Sequence, residues 1–274
     1  MRFDIMTLFD REVTDFLHTS ILGRAIKNGL FEVHCHNIRD YTEDKQKRVD
    51  DAPYGGGMGM VMQAAPIRNC FDHILSEIPN QKPHVIYMTP KGKRFTQSRA
   101  KKLLKHENIV ILCGHYEGVD QRILDAIVDE EISVGDYVLT GGELPAMIVV
   151  DAVGRMVEGV LRDPSCYEDE SIYSGLLEYP HYSRPEVFEG VKVPEILLSG
   201  HHANIEAWRR EQSLQITKQR RPDLYRAFVK KEARKAEKIR KEKLRIEKEK
   251  YLMRKAKRDA LKKEQATPEA KQDA

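Results

Sequence analysis

Short apolar runs alternate with amphipathic segments through the first half of this chain, and that order constrains the fold more than any other feature. Arg2 to Phe9 reads as a strand, Thr14 to Asn28 as a helix, and Phe31 to Ile38 as a strand with apolar residues at alternate positions. After a polar, glycine-rich loop from Tyr41 to Gly59, Met60 to Ile78 reads as a helix, and His84 to Met88 and Asn108 to Cys113 as strands. A helix over Gly118 to Ile127, a short strand near Glu131 to Val134 and a helix from about Leu144 to Val157 complete the series. Strands that alternate with helices predict an α/β domain with a mostly parallel sheet covered on both faces.

The rhythm stops at Leu161 to Gly175, a polar stretch with Pro164 and no apolar period, which reads as an interdomain linker. Beyond it come a proline-punctuated segment, Tyr179 to Pro185, and a helical region from about Asn204 to Val229. From Lys230 to Gln265 there are 17 Lys/Arg and 7 Asp/Glu, a net of +10 in a chain whose total is only +3, so the rest carries about −7. Glu232, Glu237, Glu242 and Glu247 are each followed three residues later by Lys or Arg. Pairs at this spacing support an exposed helix by roughly 0.2–0.5 kcal/mol apiece, so a charged helical tail without an apolar docking stripe is expected. Basic arms of this kind commonly meet nucleic acid. Residues after Gln265 read as disordered.

With 41% apolar residues, the 274-residue chain can bury a substantial core. No run approaches the roughly 18 apolar residues of a membrane span. The start of the chain, Met1 to Ile5, lacks the charged and apolar regions of a signal peptide, so no membrane partner and a cytoplasmic location are expected. Cys35, Cys70, Cys113 and Cys166 have no paired spacing, which argues against disulfides and against a CxxC metal site. In His34-Cys35-His36, strand alternation sends the cysteine to the opposite face from the histidines, so no metal site is expected there.

Three glycine-rich segments follow apolar runs: Val49 to Met60, Cys113 to Asp120 and Val134 to Pro145. Open α/β sheets place their ligands in such loops. None completes GxGxxG, and no GxxxxGK[ST] occurs, which disfavours nucleotide-phosphate binding. Glycines permit close backbone approach, which a small ligand held mainly by main-chain groups requires.

These segments, with His181-Tyr182-Ser183-Arg184-Pro185-Glu186 and Leu197-Leu198-Ser199-Gly200-His201-His202, resemble bacterial tRNA (guanine-N1)-methyltransferases of the SPOUT superfamily. The resemblance covers residues 1 to about 225, with VDDxPYGGGxGMVM and GDYVLTGGELPAM as its most specific parts. It implies a deep trefoil knot, which patterning alone does not reveal, and a homodimer that binds S-adenosylmethionine (SAM) at its interface. It further implies a knotted SAM-binding domain over 1–160, a linker over 161–175 and a small helical tRNA-binding domain over 176–229; the basic helical extension with its disordered end, 230–274, lies outside it. The activity implied is methylation of N1 of the guanine just 3′ of the anticodon, tRNA position 37. Another RNA target, or an RNA-binding protein without catalysis, are the alternatives, and the residues leave open whether a divalent ion assists.

Carried over residue by residue, the cofactor pocket would comprise Thr89 and Pro90, Gly114, Val134, Gly135, Asp136, Tyr137, Val138, Leu139, Gly141, Gly142 and Pro145, with the Val138 and Leu139 side chains also reading as core. Guanine N1 bears a proton, so attack on a methyl group requires a base at N1 and a donor for charge developing at O6. N1 lies on the Watson–Crick edge, so the base must be unpaired or flipped out. The family's catalytic acid belongs to an acid-Ser-aromatic triplet shortly before Gly-Leu-Leu. Counting back from Gly175-Leu176-Leu177 gives Glu170-Ser171-Ile172, where the family more often has Asp and Phe. Asp169 is adjacent and keeps the register open, with Glu170 the favoured base. Arg155 matches the family's arginine and is the candidate donor to O6. Tyr116 and Glu117 would position the target base, Arg48 and Asp50 would help hold the RNA, and His181, Tyr182 and Arg184 would contact phosphates.

Overall fold

The computed structural model describes residues 1–163, 167 and 170–265. Two compact units divide the chain, Met1–Asp169 and Glu170–Ala274. Asp169, Cys166 and the stretch after Gln265 lie outside the described residues.

The first unit is built on five parallel strands: β1 (Arg2–Thr7), β2 (Glu32–Asn37), β5 (His84–Arg94), β6 (Asn108–Cys113) and β7 (Glu130–Ser133), in the order β2-β1-β6-β5-β7. Central β6 is buried along its whole length, and its Ile111 is in register with Ile5 of β1 and Ile86 of β5. Side chains alternate between the two faces of a strand. On one face Met6, Val85, Tyr87, Val110 and Leu112 join Ile67, Phe71 and Ile74 of α3 (Ala64–Glu77) and Ile123, Leu124 and Ile127 of α5 (Gln121–Ile127). The opposite residues, Phe3, Ile5, Ile86, Ile109 and Ile111, are also fully buried. The helices that complete the unit are α1 (Asp10–Leu17), α2 (Ser20–Lys27), α4 (Gln97–Leu103) and α6 (Glu143–Gly154). A two-stranded ribbon, β3 (Asp50–Asp51) with β4 (Val61–Met62), carries the first glycine loop between its arms.

Several boundaries differ from the sequence reading. The helix expected over Thr14 to Asn28 is two, because Thr19 Oγ1 donates to Phe16 O at 2.7 Å and Ser20 turns the backbone to φ 53°. The helix expected from Met60 starts only at Ala64, since Val61 and Met62 pair with Asp51 and Asp50, and Met62 also bridges to Val119. Strand β5 runs on to Arg94 through an irregularity between Met88 and Lys93, so Thr89 and Pro90 lie within it, not after it. Helix α4 is not among the elements expected from the sequence; Thr96 caps it, its hydroxyl accepting from Arg99 N at 3.3 Å.

Beneath the sheet edge Asp4, wholly buried, accepts from Arg2 Nε at 2.8 Å and lies 2.8 Å from His36 Nε2, while Arg2 also bonds Glu77. Asp4, His36 and Glu77 lie close enough together to suggest a metal site. The Arg2 guanidinium already bonds both carboxylates, which makes the group an ion network.

The second unit contains a hairpin, β8 (Val187–Phe188) with β9 (Val191–Lys192), and the helices α7 (Glu195–Leu198), α8 (His202–Arg220) and α9 (Pro222–Gln265). The helical region expected from Asn204 to Val229 is interrupted at Arg221, and Pro222 starts α9, a position where its missing N–H costs nothing. Residues 170–178 fold back on themselves: Ile172 N donates to Leu176 O at 2.7 Å and Glu178 N to Ser171 Oγ at 2.9 Å. Leu177 N then donates to Thr217 Oγ1 of α8 at 2.8 Å. Among the described residues no helix is long and apolar enough to cross a membrane.

Candidate active site

Parallel strands all point their carboxyl ends the same way, so the loops leaving β5, β6 and β7 gather at one edge of the sheet. There they enclose a cavity of about 420 Å³, within the usual range for small-ligand sites. Thr89 and Pro90 of β5, Gly114 after β6, and Val134, Gly135, Tyr137, Val138, Leu139, Gly141, Gly142 and Pro145 after β7 all line it. Tyr116 and Glu117 line it too.

Asp136 does not. Its carboxylate turns outward to the Arg94 guanidinium and is largely exposed. The core reading of Val138 and Leu139 also fails: Val138 is 83% and Leu139 37% exposed, because the loop crosses the cavity mouth instead of entering a packed layer.

The walls are held by contacts between loops. Gly142 N donates to Gly114 O at 3.0 Å, and a Cβ on Gly142 would fall 2.7 Å from Cys113 Cα. Only glycine lets the second and third loops approach so closely. His115 Nε2 meets Glu143 Oε2 at 2.7 Å, while Thr7 Oγ1 donates to Glu143 Oε1 at 2.6 Å. One carboxylate thereby joins the end of β1, the second loop and the first turn of α6. The first glycine segment leads to the same place: Glu117 N donates to Met60 O at 3.0 Å and Met62 N to Gly118 O at 2.9 Å. At the floor, Tyr87 has its hydroxyl pKa pushed up by burial and then by the charge of Glu131, so it remains a neutral hydrogen-bonding group.

Elsewhere, Arg48 is exposed and bonds Asp44 at 3.0 Å, while Asp50 pairs with Met62 in the ribbon. Arg155 immediately follows the last turn of α6, its N–H donating to Asp151 O at 3.2 Å. Glu170 opens the second unit, half-buried, its carbonyl accepting from Ser174 N at 3.4 Å. His181, Tyr182 and Arg184 are exposed in that unit, where the His181 ring lies tilted against Tyr179 at 4.7 Å and Arg209 lies 4.9 Å from the Tyr179 ring. Tyr87, His115, Thr140 and Glu143 were not singled out from the sequence as site residues. His115 and Glu143 stand inside the glycine segments, yet nothing in a one-dimensional pattern pairs them.

An open parallel sheet with a cavity of small-ligand size at its carboxyl edge places the chain among the α/β proteins. Within that class the chain belongs to the tRNA (Guanine-1)-methyltransferase TrmD family, whose model matches residues 1–227. It is 57% identical over 231 residues to the tRNA (guanine-N(1)-)-methyltransferase of Lachnospira eligens, covering 84% of this chain and 98% of that protein. The enzyme of the same name from Clostridioides difficile is 55% identical over 226 residues, 82% of this chain and 98% of its own. That of Ruminiclostridium cellulolyticum is 57% identical over 225 residues, 82% and 96%. Most of α9 lies beyond the region the family model matches.

Proposed function

We propose that this protein transfers a methyl group from SAM to N1 of the guanine at tRNA position 37, 3′ of the anticodon. One observation carries the reading: eleven of the twelve positions expected to hold the cofactor line a single cavity at the carboxyl ends of parallel strands.

The cavity fits SAM. Gly142 lets main chain pack on main chain and Gly114 leaves room for the Tyr87 ring, which keeps the loops close around the cavity, and Thr89, Tyr87 and Thr140 add neutral hydroxyls. Bound there, SAM supplies an electrophilic methyl on a sulfonium.

The remaining work belongs to the chain's own groups. Glu170 removes the N1 proton as the new N1–carbon bond forms, the carbon–sulfur electron pair leaving with sulfur, and Arg155 donates to O6 as negative charge builds there. Tyr116, at φ 57° beside the cavity and half exposed, and Glu117 orient the flipped guanine. Arg48, Asp50, His181, Tyr182 and Arg184 hold the RNA.

The chain acts as a homodimer with the knotted SPOUT topology, over domains 1–160 and 176–229 joined by the linker 161–175, in the cytoplasm. Support for the dimer comes from α6, whose Leu144 and Ile148, one turn apart, are 56% and 44% exposed. Phe9, also exposed, meets the His115 ring at 5.1 Å, and Val138 stands open nearby in the third loop. Apolar surface concentrated this way beside the cavity suits a second copy of the chain.

Mass spectrometry of nucleosides from tRNA incubated with the protein and SAM tests the reading. 1-Methylguanosine is expected, and a different methylated nucleoside in its place would overturn the assignment of the target atom.

A further inference from the structure

Helix α9 continues far past the part of it that packs. In its first three turns Leu224, Tyr225, Phe228 and Glu232 are half-buried, with Phe228 3.5 Å from the position of a Gly175 Cβ and 5.9 Å from the Arg210 guanidinium. From Ala233 to Ala256 every side chain is exposed. At 1.5 Å per residue the helix beyond Glu232 is about 50 Å long.

Six of the 17 cations from Lys230 to Gln265 share one edge. Lys230, Arg234, Lys238, Lys241, Arg245 and Lys248 follow spacings of four, four, three, four and three, which aligns them in one row along the helix. The far side carries exposed Ile239, Ile246 and Met253, but Lys243 and Lys250 interrupt them, so no apolar seam forms for a partner helix. Within the row Lys241 bonds Glu237 at 2.7 Å and Arg245 bonds Glu242 at 2.9 Å. Exposed pairs of that kind contribute at most about 1 kcal/mol, and a phosphate can replace the carboxylate.

We infer that this row is a phosphate-contacting edge that lies along the backbone of tRNA. The partner follows from charge. Residues before Lys230 sum to −6 and repel RNA at long range, whereas the arm carries +10 on a helix anchored through Phe228. The identity of the RNA as tRNA rests on the proposed function; the phosphate-binding edge does not.

Two sixfold variants of the full chain carry equal changes of charge. One is K230Q/R234Q/K238Q/K241Q/R245Q/K248Q, and the other is K235Q/R240Q/K243Q/K250Q/R254Q/R258Q, which removes six cations from the other faces. Glutamine keeps helix propensity close to that of lysine and arginine. Binding is measured with unmodified tRNA and with a plain RNA duplex, as a function of salt. The row variant should bind both RNAs at least about tenfold more weakly at 0.1 M salt and flatten the slope of log K against log salt by roughly 3 to 5, while the control loses far less. Turnover at saturating tRNA should be unchanged and KM raised. Equal losses in the two variants, or unchanged affinity and slope in the row variant, would overturn the inference. Absence of 1-methylguanosine with the unmutated chain would sink the proposed reaction and leave the duplex-binding result standing.

Discussion

His115 Nε2 and Glu143 Oε2 lie 2.7 Å apart, and through this contact the loop after β6 is fastened to the N-terminus of α6. Glu143 is mostly buried and also bonds Thr7, so the cavity wall is tied to the end of β1 as well. The close packing of the two glycines beside this contact leads to a graded expectation. A Cβ on Gly141 would run into the His115 ring and the Glu143 carboxylate, which are side chains able to move. A Cβ on Gly142 would meet Cys113 Cα at 2.7 Å and Gly114 N at 2.9 Å, which are not.

Gly142→Ala should therefore destabilise the fold by about 1–3 kcal/mol, as overpacking does, and abolish measurable SAM binding. Gly141→Ala should leave thermal stability closer to that of the parent and weaken SAM by roughly tenfold, since it separates His115 from Glu143 without moving backbone. Thermal unfolding and titration calorimetry read the two effects separately. The reverse ranking would mean that the loops are held by something other than main-chain approach.

The buried Asp4 predicts how the first unit responds to acid. Burial alone would raise its pKa, but the hydrogen bonds from His36 and Arg2, with their charges, hold it below the ordinary 3.8. A carboxylate depressed in the folded state adds stability above its unfolded pKa and loses it as pH falls through the folded one. Stability should thus drop below about pH 3.8 in part through Asp4. Asp4→Asn should cost roughly 3–5 kcal/mol at neutral pH, because Arg2 and His36 keep a buried site without its anion. The same variant should lose less between pH 4 and pH 2 in denaturant titrations. Parallel pH curves for the two proteins would refute this account.

The parallel α/β class was legible in the sequence because strands buried on both faces, such as Ile109 to Cys113, are nearly pure apolar runs. The cavity was legible for a different reason: its walls are glycine segments whose composition is unusual in itself. Boundaries governed by local side-chain bonding were not. The break at Thr19 depends on one hydroxyl, and helix α4 depends on the Thr96 cap. The outward turn of Asp136 was not legible, because neighbouring positions in one loop can face opposite ways and its carboxylate finds Arg94. The basic tail was visible as charge, and its alignment into a row follows once the helix is continuous from Pro222.

Glu170 carries the sharpest expectation for chemistry. Glu170→Gln should lower methyl transfer by roughly 10²–10⁴, the usual effect of losing a general base, with SAM affinity nearly unchanged. Asp169→Asn should be milder. Single-turnover methylation with each variant decides between them, and a reversed order would move the base one residue toward the N-terminus.

The last expectation concerns how many chains make one site. The proposed base opens the second unit at Glu170, whereas the cavity belongs entirely to the first, ending at Pro145. Exposed Leu144 and Ile148 on α6 give a second copy an apolar face to cover beside that cavity. If the dimer places the cavity of one copy against residue 170 of the other, each site is composite. A subunit with Glu170→Ala and Asp169→Ala should be inactive as a homodimer, and so should a subunit with Gly142→Ala. Co-expressed under two affinity tags and purified as the mixed dimer, the pair contains one site in which both lesions fall together and one in which neither does. Up to about half of the parental activity per dimer should return, with the KM for tRNA unchanged at the intact site. Verified mixed dimers that remain inactive would argue that base and cofactor come from the same chain.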